Sequence, residues 1–433
     1  MLEDRLTAPG RIHLAPGADL ELLARSFEQG FERETMPTLG VEEELILIDR
    51  DSLEPVDAGW VLAALDDETR FKPELRSAQL ELVTPVCFTA ADICRELARA
   101  RDQVVSAIAG RARIIAVGTH PTSTKPVALN PHRRYREIAL DNPWFVRCGM
   151  PSALHIHVGV GNSSEALAIY NAARSYLPEL AALAANSPFF EGRDTGLASC
   201  RLKLCEDAPR TGIPPPFDSW HELARFVAWG ASGGLFPDLS YLWWDLRPRP
   251  DYGTLEFRIT DSQTHLDSTA AIVAVCQSLV TFLQTRLRSG EQLPSHPTHV
   301  LSENRWRALR DGLNGELVDP GTCKAEPTRE RVARLLDELH PHALKLRCAD
   351  ELAHAQRLLK HGNGANEQRT IVQRHGLERL VEWLADTSER TAQLPRHIVG
   401  LASAGIEPTF STPTRRPLVA VSADGRSPER SRP

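Results

Sequence analysis

An α+β fold built on a largely antiparallel sheet is what this sequence predicts, and three observations predict it. Strand-like segments fall within the first 261 residues. Helix-like segments dominate afterwards, which argues against the βαβ alternation of a doubly wound sheet. Several strand-like segments are apolar on one face and carry acids, imidazoles or a guanidinium on the other. Such a sheet has one core face and one polar face.

In chain order, residues 1–35 read as a polar leader with a short helix around 18–32. The first strand is 38–49, "TLGVEEELILID", where Val41, Leu45, Ile46, Leu47 and Ile48 are strand formers bounded by Gly40 and Asp49. Alternation sends Glu42 and Glu44 to the face of Ile46 and Ile48, and Glu43 to the face of Val41, Leu45 and Leu47. Further strands are predicted at 78–85, 112–118, 153–160, 242–247 and 254–261. An apolar period near 3.6 predicts helices at 90–110, 164–186, 267–288, 302–311, 329–340, 348–360 and 377–387. Asn162 or Ser163 is placed to cap the second of these, and Gly290 to stop the third. The final segment is rich in Ser, Pro and Arg with little to bury, so it is expected to be disordered.

The chain has 433 residues and 42% hydrophobic composition, enough for one large domain or two to three smaller ones. A formal net charge of −7, with no dense basic run outside the tail, gives no reason to expect a nucleic-acid partner. No apolar stretch reaches the roughly 18 residues of a membrane span. The N-terminus lacks the basic start and apolar core of a secretory signal. Eight cysteines, scattered and without CxxC, read as reduced thiols, and the expected compartment is the cytoplasm.

Acids on a half-buried sheet face are costly unless something positive sits against them. For Glu42 and Glu44 alone, a solvated strand end is the plain alternative to a metal site. Other strands repeat the oddity. Glu81 shares its face with Gln79 and Val83, and Glu74 lies at the approach to that strand. His155 and His157 point the same way, and Glu256 and Arg258 share a face with Thr260. Four such strands, each apolar on the back, point to one lined polar surface. Carboxylates with imidazoles and no thiolates favour Mg²⁺ or Mn²⁺ over structural zinc. More acids than one ion needs imply two or three ions, as in phosphoryl transfer. GxxxxGK[ST] is absent, as is GxGxxG after a strand, so a nucleotide would be held by metals and arginines. The candidates are Arg193, Arg201, Arg247 and Arg258. Arg258, between apolar neighbours and beside Glu256, is the most functional of them. For each of the others taken singly, a surface ion pair is the plainer role. A zinc site at His155 and His157 lacks a supporting HExxH or Cys pair.

"GVEEELILID", "ELVTPVC", "GTHP", "HIHVGV", "ANSPFFEGRDTGLASCR", "LWWDLRPRPDYGTLEFRITD" and "ENRWRALRDGL" together resemble the YbdK-type carboxylate–amine ligases, the second type of glutamate–cysteine ligase. The matching segments run from about residue 38 to about 385. The resemblance implies a glutamine-synthetase-like sheet of six mostly antiparallel strands, forming a funnel for ATP and Mg²⁺ (or Mn²⁺) and flanked by helices. It implies a single ligase catalytic domain over 36–405, with 406–433 as a tail. It places Glu42, Glu44, Glu81, His157 and Glu256 around magnesium, with Glu74 a further member. His155, Arg193, Arg201 and Arg247 are then substrate- or phosphate-binding, and Arg258 stabilises the transferred phosphoryl charge. Glu43 would be a supporting acid on the other face. The implied reaction joins the γ-carboxylate of glutamate, through a γ-glutamyl phosphate, to an amine that is typically cysteine. Rival readings are a ligase of the same fold serving another amine, a binding or regulatory member, and a metal-dependent hydrolase using the same acids. The implied partners are small molecules, with homo-oligomerisation left open. "HGNGANEQR" (361–369) also resembles the family, without a role that spacing assigns.

Overall fold

The eleven-residue strand β1 (Leu39–Asp49) is the centre of the molecule, as its run of Val, Leu and Ile requires of a strand buried on both sides. A computed structural model describes residues 20–32, 37–144 and 149–392. The described residues belong to one compact unit. The predicted 406–433 tail and most of the predicted leader lie outside them. The remaining strands are β2 (Phe71–Pro73), β3 (Gln79–Val83), β4 (Ala112–Ile115), β5 (Ala153–Gly159), β6 (Phe189–Phe190), β7 (Arg193–Asp194), β8 (Leu246–Arg249) and β9 (Thr254–Asp261). A small hairpin of β10 (Glu316–Val318) and β11 (Ala325–Pro327) follows.

The main sheet runs β2-β3-β1-β5-β9-β8, with β4 also paired to β1. Its pairings are all antiparallel. It therefore has seven strands where six were expected. The addition is β2, a three-residue edge strand whose Pro73 hid it in the sequence. The strand expected at 242–247 is displaced to 246–249. Pro248 is tolerated there because β8 is an edge, pairing only with β9.

Val41, Leu45, Leu80, Leu82, Leu154, Ile156, Leu255 and Phe257 line the back of the sheet and pack into the main core with the helices Ala90–Ile108 and Leu266–Arg288. Leu266–Arg288 is long and apolar enough to cross a membrane by composition, but most of it is buried in this core. On the front, Ile46 and Ile48 join a second cluster with Leu380, Val381 and Leu384 of the helix Glu378–Ala392. The front face is thus covered at one end and leaves Glu42 and Glu44 at the other. The helix expected at 164–186 is two, Ser163–Ala173 and Leu177–Ala184, joined by a 3₁₀ turn. Pro178 explains the break, since proline is accepted in a first turn and not in a helix interior. Asn162 caps the first of the two by accepting from the Glu165 N–H. The helix expected around 18–32 is Leu20–Phe31, and it packs into the core: Leu23, Phe27 and Phe31 are buried, and Phe31 stacks on Trp220 at 5.0 Å.

Candidate active site

Strand register, more than any single loop, assembles the polar face. Glu44 lies directly opposite Glu81, and Lys72 of β2 lies opposite Glu81 in turn. Glu42 faces His155. His157 faces Glu256, and Arg247 faces Glu256 from the other side. Cross-strand neighbours on one face come within side-chain reach of each other, so these pairs form a continuous belt across six strands. A register irregularity between β5 and β9 falls beside His155 and Arg258. Bulges of this kind re-aim side chains at functional sites.

The belt floors a cavity of ≈ 870 Å³, within the range of small-molecule sites. Its walls include Phe27, Leu62 and Tyr252, and, from the segment after β4, Arg134 and Tyr135. Three overlapping groups offer ligand atoms that all lie within 4.8 Å of one another: Glu42, Glu81 and His155; Glu42, His157 and Glu256; Glu44, Glu74 and Glu81. Glu42 and Glu81 each belong to two groups. The Ala153 N–H donates to Glu44 Oε2 at 2.7 Å, fixing that carboxylate. His155 Nδ1 lies 3.3 Å from Glu42 Oε2 and 3.4 Å from Arg258 Nη1, so one tautomer can serve only one of them. His157 Nε2 is buried and makes no hydrogen bond, with Glu42 Oε1 3.7 Å away. That orphaned nitrogen, with hard carboxylate oxygens around it, fits divalent cations of the Mg²⁺ or Mn²⁺ type.

The electrostatics differ along the belt. Burial, with Glu81 adding to it against the pull of Arg201, pushes the Glu44 carboxyl up to about 7. Burial and Glu44 push Glu74 up to about 8. Burial and the charges of Glu42 and Glu74 hold Glu81 well above the carboxylate range. At the other end burial acts upward on Glu256 too, but Arg247, Arg258, His157 and Arg249 outweigh it and hold Glu256 well below. Arg247 binds Glu256 with two hydrogen bonds of 2.8 and 2.9 Å. Arg249 and Arg258 reach the same carboxylate at 3.3 and 2.5 Å. Burial and Arg258 push His155 down to about 4, so it is neutral at ordinary pH.

Of the residues singled out in the sequence, Glu42, Glu44, Glu74, Glu81, His155, His157, Glu256, Arg247 and Arg258 converge here. Arg201, from the helix Cys200–Cys205, is also in the cavity wall, donating to the Arg258 carbonyl at 2.9 Å with its Nε lacking a protein partner. Arg193 is not brought to the site: it is exposed on β7, outside the cavity. Arg249 and Lys72 went unnoticed. Arg249 was findable, since it lies two residues from Arg247 and so on the same face of the strand.

In fold, the chain is similar to a glutamate–cysteine ligase from Francisella tularensis solved in complex with AMP, with a TM-score of 0.61 and 12% identity over 84% of this chain and 90% of that one. It is also similar to a bifunctional glutathione synthetase from Pasteurella multocida, with a TM-score of 0.61 and 14% identity over 86% of this chain and 54% of that one. The architecture is that of the glutamate–cysteine ligases. The family model for glutamate–cysteine ligase family 2 matches residues 38–389. A relative from Rubrobacter xylanophilus, named "Putative glutamate--cysteine ligase 2-3", is 37% identical over 361 residues, covering 81% of this chain and 97% of that one. One from Gloeobacter violaceus, named "Putative glutamate--cysteine ligase 2", is 35% identical over 348 residues, covering 79% and 94%. The chain belongs to glutamate–cysteine ligase family 2, a family of ligases.

Proposed function

We propose that the protein is an ATP-dependent carboxylate–amine ligase that activates the γ-carboxylate of glutamate as an acyl phosphate and passes the acyl group to an amine, typically that of cysteine. The observation that carries this reading is the set of overlapping carboxylate and imidazole groups on one sheet face, with Arg258 at their edge. Glu42, Glu44, Glu74, Glu81, His155, His157 and Glu256 would hold divalent ions. When bound, such ions neutralise polyphosphate charge and align the in-line transfer.

A carboxylate oxygen of glutamate attacks the γ-phosphorus and ADP leaves. The amine nitrogen then attacks the acyl carbon, phosphate leaves, and the amine proton passes to solvent. Arg258 lines the cavity with its Nη1 tied to Glu256, which supports a role in stabilising negative charge on the transferred group. The substrate itself takes the phosphoryl group, so no enzyme nucleophile is needed. Among the described residues the one cavity cysteine is Cys205, whose thiol is pushed up by burial, which suits that chemistry.

The test is incubation with ATP, Mg²⁺ and glutamate, with hydroxylamine as trap. ADP and a hydroxamate are expected, and a panel of amines with glutamate fixed then identifies the acceptor. Undiminished ADP formation in excess chelator, or ADP without hydroxamate, would overturn the reading.

A further inference from the structure

Thr254 is the first residue of β9, two positions before Glu256 and therefore on the same face of the strand. It is buried, and its hydroxyl lies 2.9 Å from His157 Nδ1. The other ring nitrogen, Nε2, lies 3.7 Å from Glu42 Oε1 and makes no hydrogen bond, and the imidazole offers a ligand atom within 4.8 Å of those of Glu42 and Glu256. The Tyr252 ring closes over the imidazole edge-on at 5.7 Å, which leaves the ring little room to turn. A neutral imidazole carries one proton. For a cation to use the Nε2 lone pair, that proton must sit on Nδ1, where Thr254 Oγ1 is placed to accept it. Ligating histidines characteristically have such a partner on the far nitrogen, which sets both tautomer and ring orientation.

We infer that Thr254 is a positioning residue: its hydroxyl holds His157 in the Nδ1–H tautomer, presenting the Nε2 lone pair to a divalent cation shared with Glu42 and Glu256. The inference rests on the metal-dependent reading above. In Thr254→Val the β-branched shape and strand propensity are kept, but Nδ1–H loses its acceptor in a buried setting. The ring then favours the Nε2–H form, whose proton points at the Glu42 carboxylate and competes with the cation. In Thr254→Ser the acceptor is kept and the methyl is lost.

The experiment titrates the full-length protein with Mn²⁺ alone and follows the free ion by electron paramagnetic resonance. Thr254→Val should weaken one class of site by about tenfold or more, and Thr254→Ser should stay within roughly threefold of wild type. If Thr254→Val does not fold, Thr254→Ala is read in the same way. Wild-type affinity in the valine variant overturns the inference, as does a serine variant as weak as the valine one. Both results leave the metal reading standing. A wild-type protein that binds no Mn²⁺ removes the metal reading and this inference together.

Discussion

A cluster of carboxylates and a single carboxylate share one sheet face and have opposite electrostatics. At the β3 end, Glu44, Glu74 and Glu81 crowd together, and the strand partner Lys72 is half-exposed, with its Nζ 3.6 Å from Glu81. At the β9 end a single buried Glu256 is met by three guanidiniums, Arg247, Arg249 and Arg258. Directly opposed like charges such as Glu44 and Glu81 destabilise a sheet. The fold tolerates them at one end and neutralises the acid at the other. On the metal-dependent reading proposed above, the first end takes up cations beyond the single Lys72 that the chain supplies. The second is largely pre-neutralised: it aims Arg258 into the cavity and offers a cation only the edge where Glu256 meets Glu42 and His157.

The largest effect that tests this contrast is catalytic. Glu42→Gln or Glu81→Gln keeps size but removes a charge shared between two ligand groups. The expected loss in kcat/KM is about a thousandfold or more, roughly 4 kcal/mol of transition-state stabilisation. In metal-free protein near pH 8, Glu81→Gln should nonetheless raise the melting temperature, because it removes repulsion. A fall in both activity and metal-free stability would break the picture of an uncompensated cluster.

Glu256→Gln should do the reverse. It strips the shared counter-charge from three guanidiniums, and the expected cost is about 3 kcal/mol of stability with or without metal. Urea unfolding measures it. A neutral or stabilising outcome would mean that the two ends are electrostatically alike.

A smaller effect follows from pH. Glu44 and Glu74, raised to about 7 and about 8 from 4.5, keep protons in the folded state that the unfolded chain has already released. Metal-free stability should therefore fall as pH rises through that window. His155, lowered to about 4 from 6.5, acts in the opposite sense below pH 6.5, so the fall is cleanest above it. Thermal melts in chelator at three pH values read the slope, and saturating Mg²⁺ should flatten it. A rising slope between neutral and mildly alkaline pH would show that the acids are compensated after all.

How much of this was legible depended on period. Alternation along β1 separated Glu42 and Glu44 from Glu43 without any tertiary information. What Glu43 meets on the back face was not legible. Its partner, Arg101, stands in the middle of the amphipathic helix Ala90–Ile108, fully buried, with bonds of 2.7 and 2.8 Å to the carboxylate. Arg101 also donates to the carbonyls of Gln263 and Thr264, so the pair braces the turn after β9. The 361–369 segment was opaque for the same reason. Asn363 caps the helix Gly364–His375, and Gln368 donates to Asn186, whose own N–H binds the buried Asp261. The cap is local, but the contacts of Gln368 and Asn186 join residues far apart in the chain, which no local pattern reports.

The smallest expected effect is at Arg193, the one candidate arginine that belongs to neither end. Its string, "EGRDTGLASCR", also contains Arg201, and sequence logic could not separate the two. The structure separates them by burial. Arg201 is in the cavity wall with its guanidinium against the Arg258 carbonyl, whereas Arg193 stands exposed on a two-residue strand. A charge in solvent and outside the cavity interacts weakly with groups inside it, and screening by salt reduces that further. Arg193→Ala should therefore leave kcat/KM within about twofold and stability within about 0.5 kcal/mol. Arg201→Ala, assayed beside it, should be far more damaging. Comparable losses at both positions would mean that the working site reaches past the cavity to β7, and the division into two ends would then have to be redrawn.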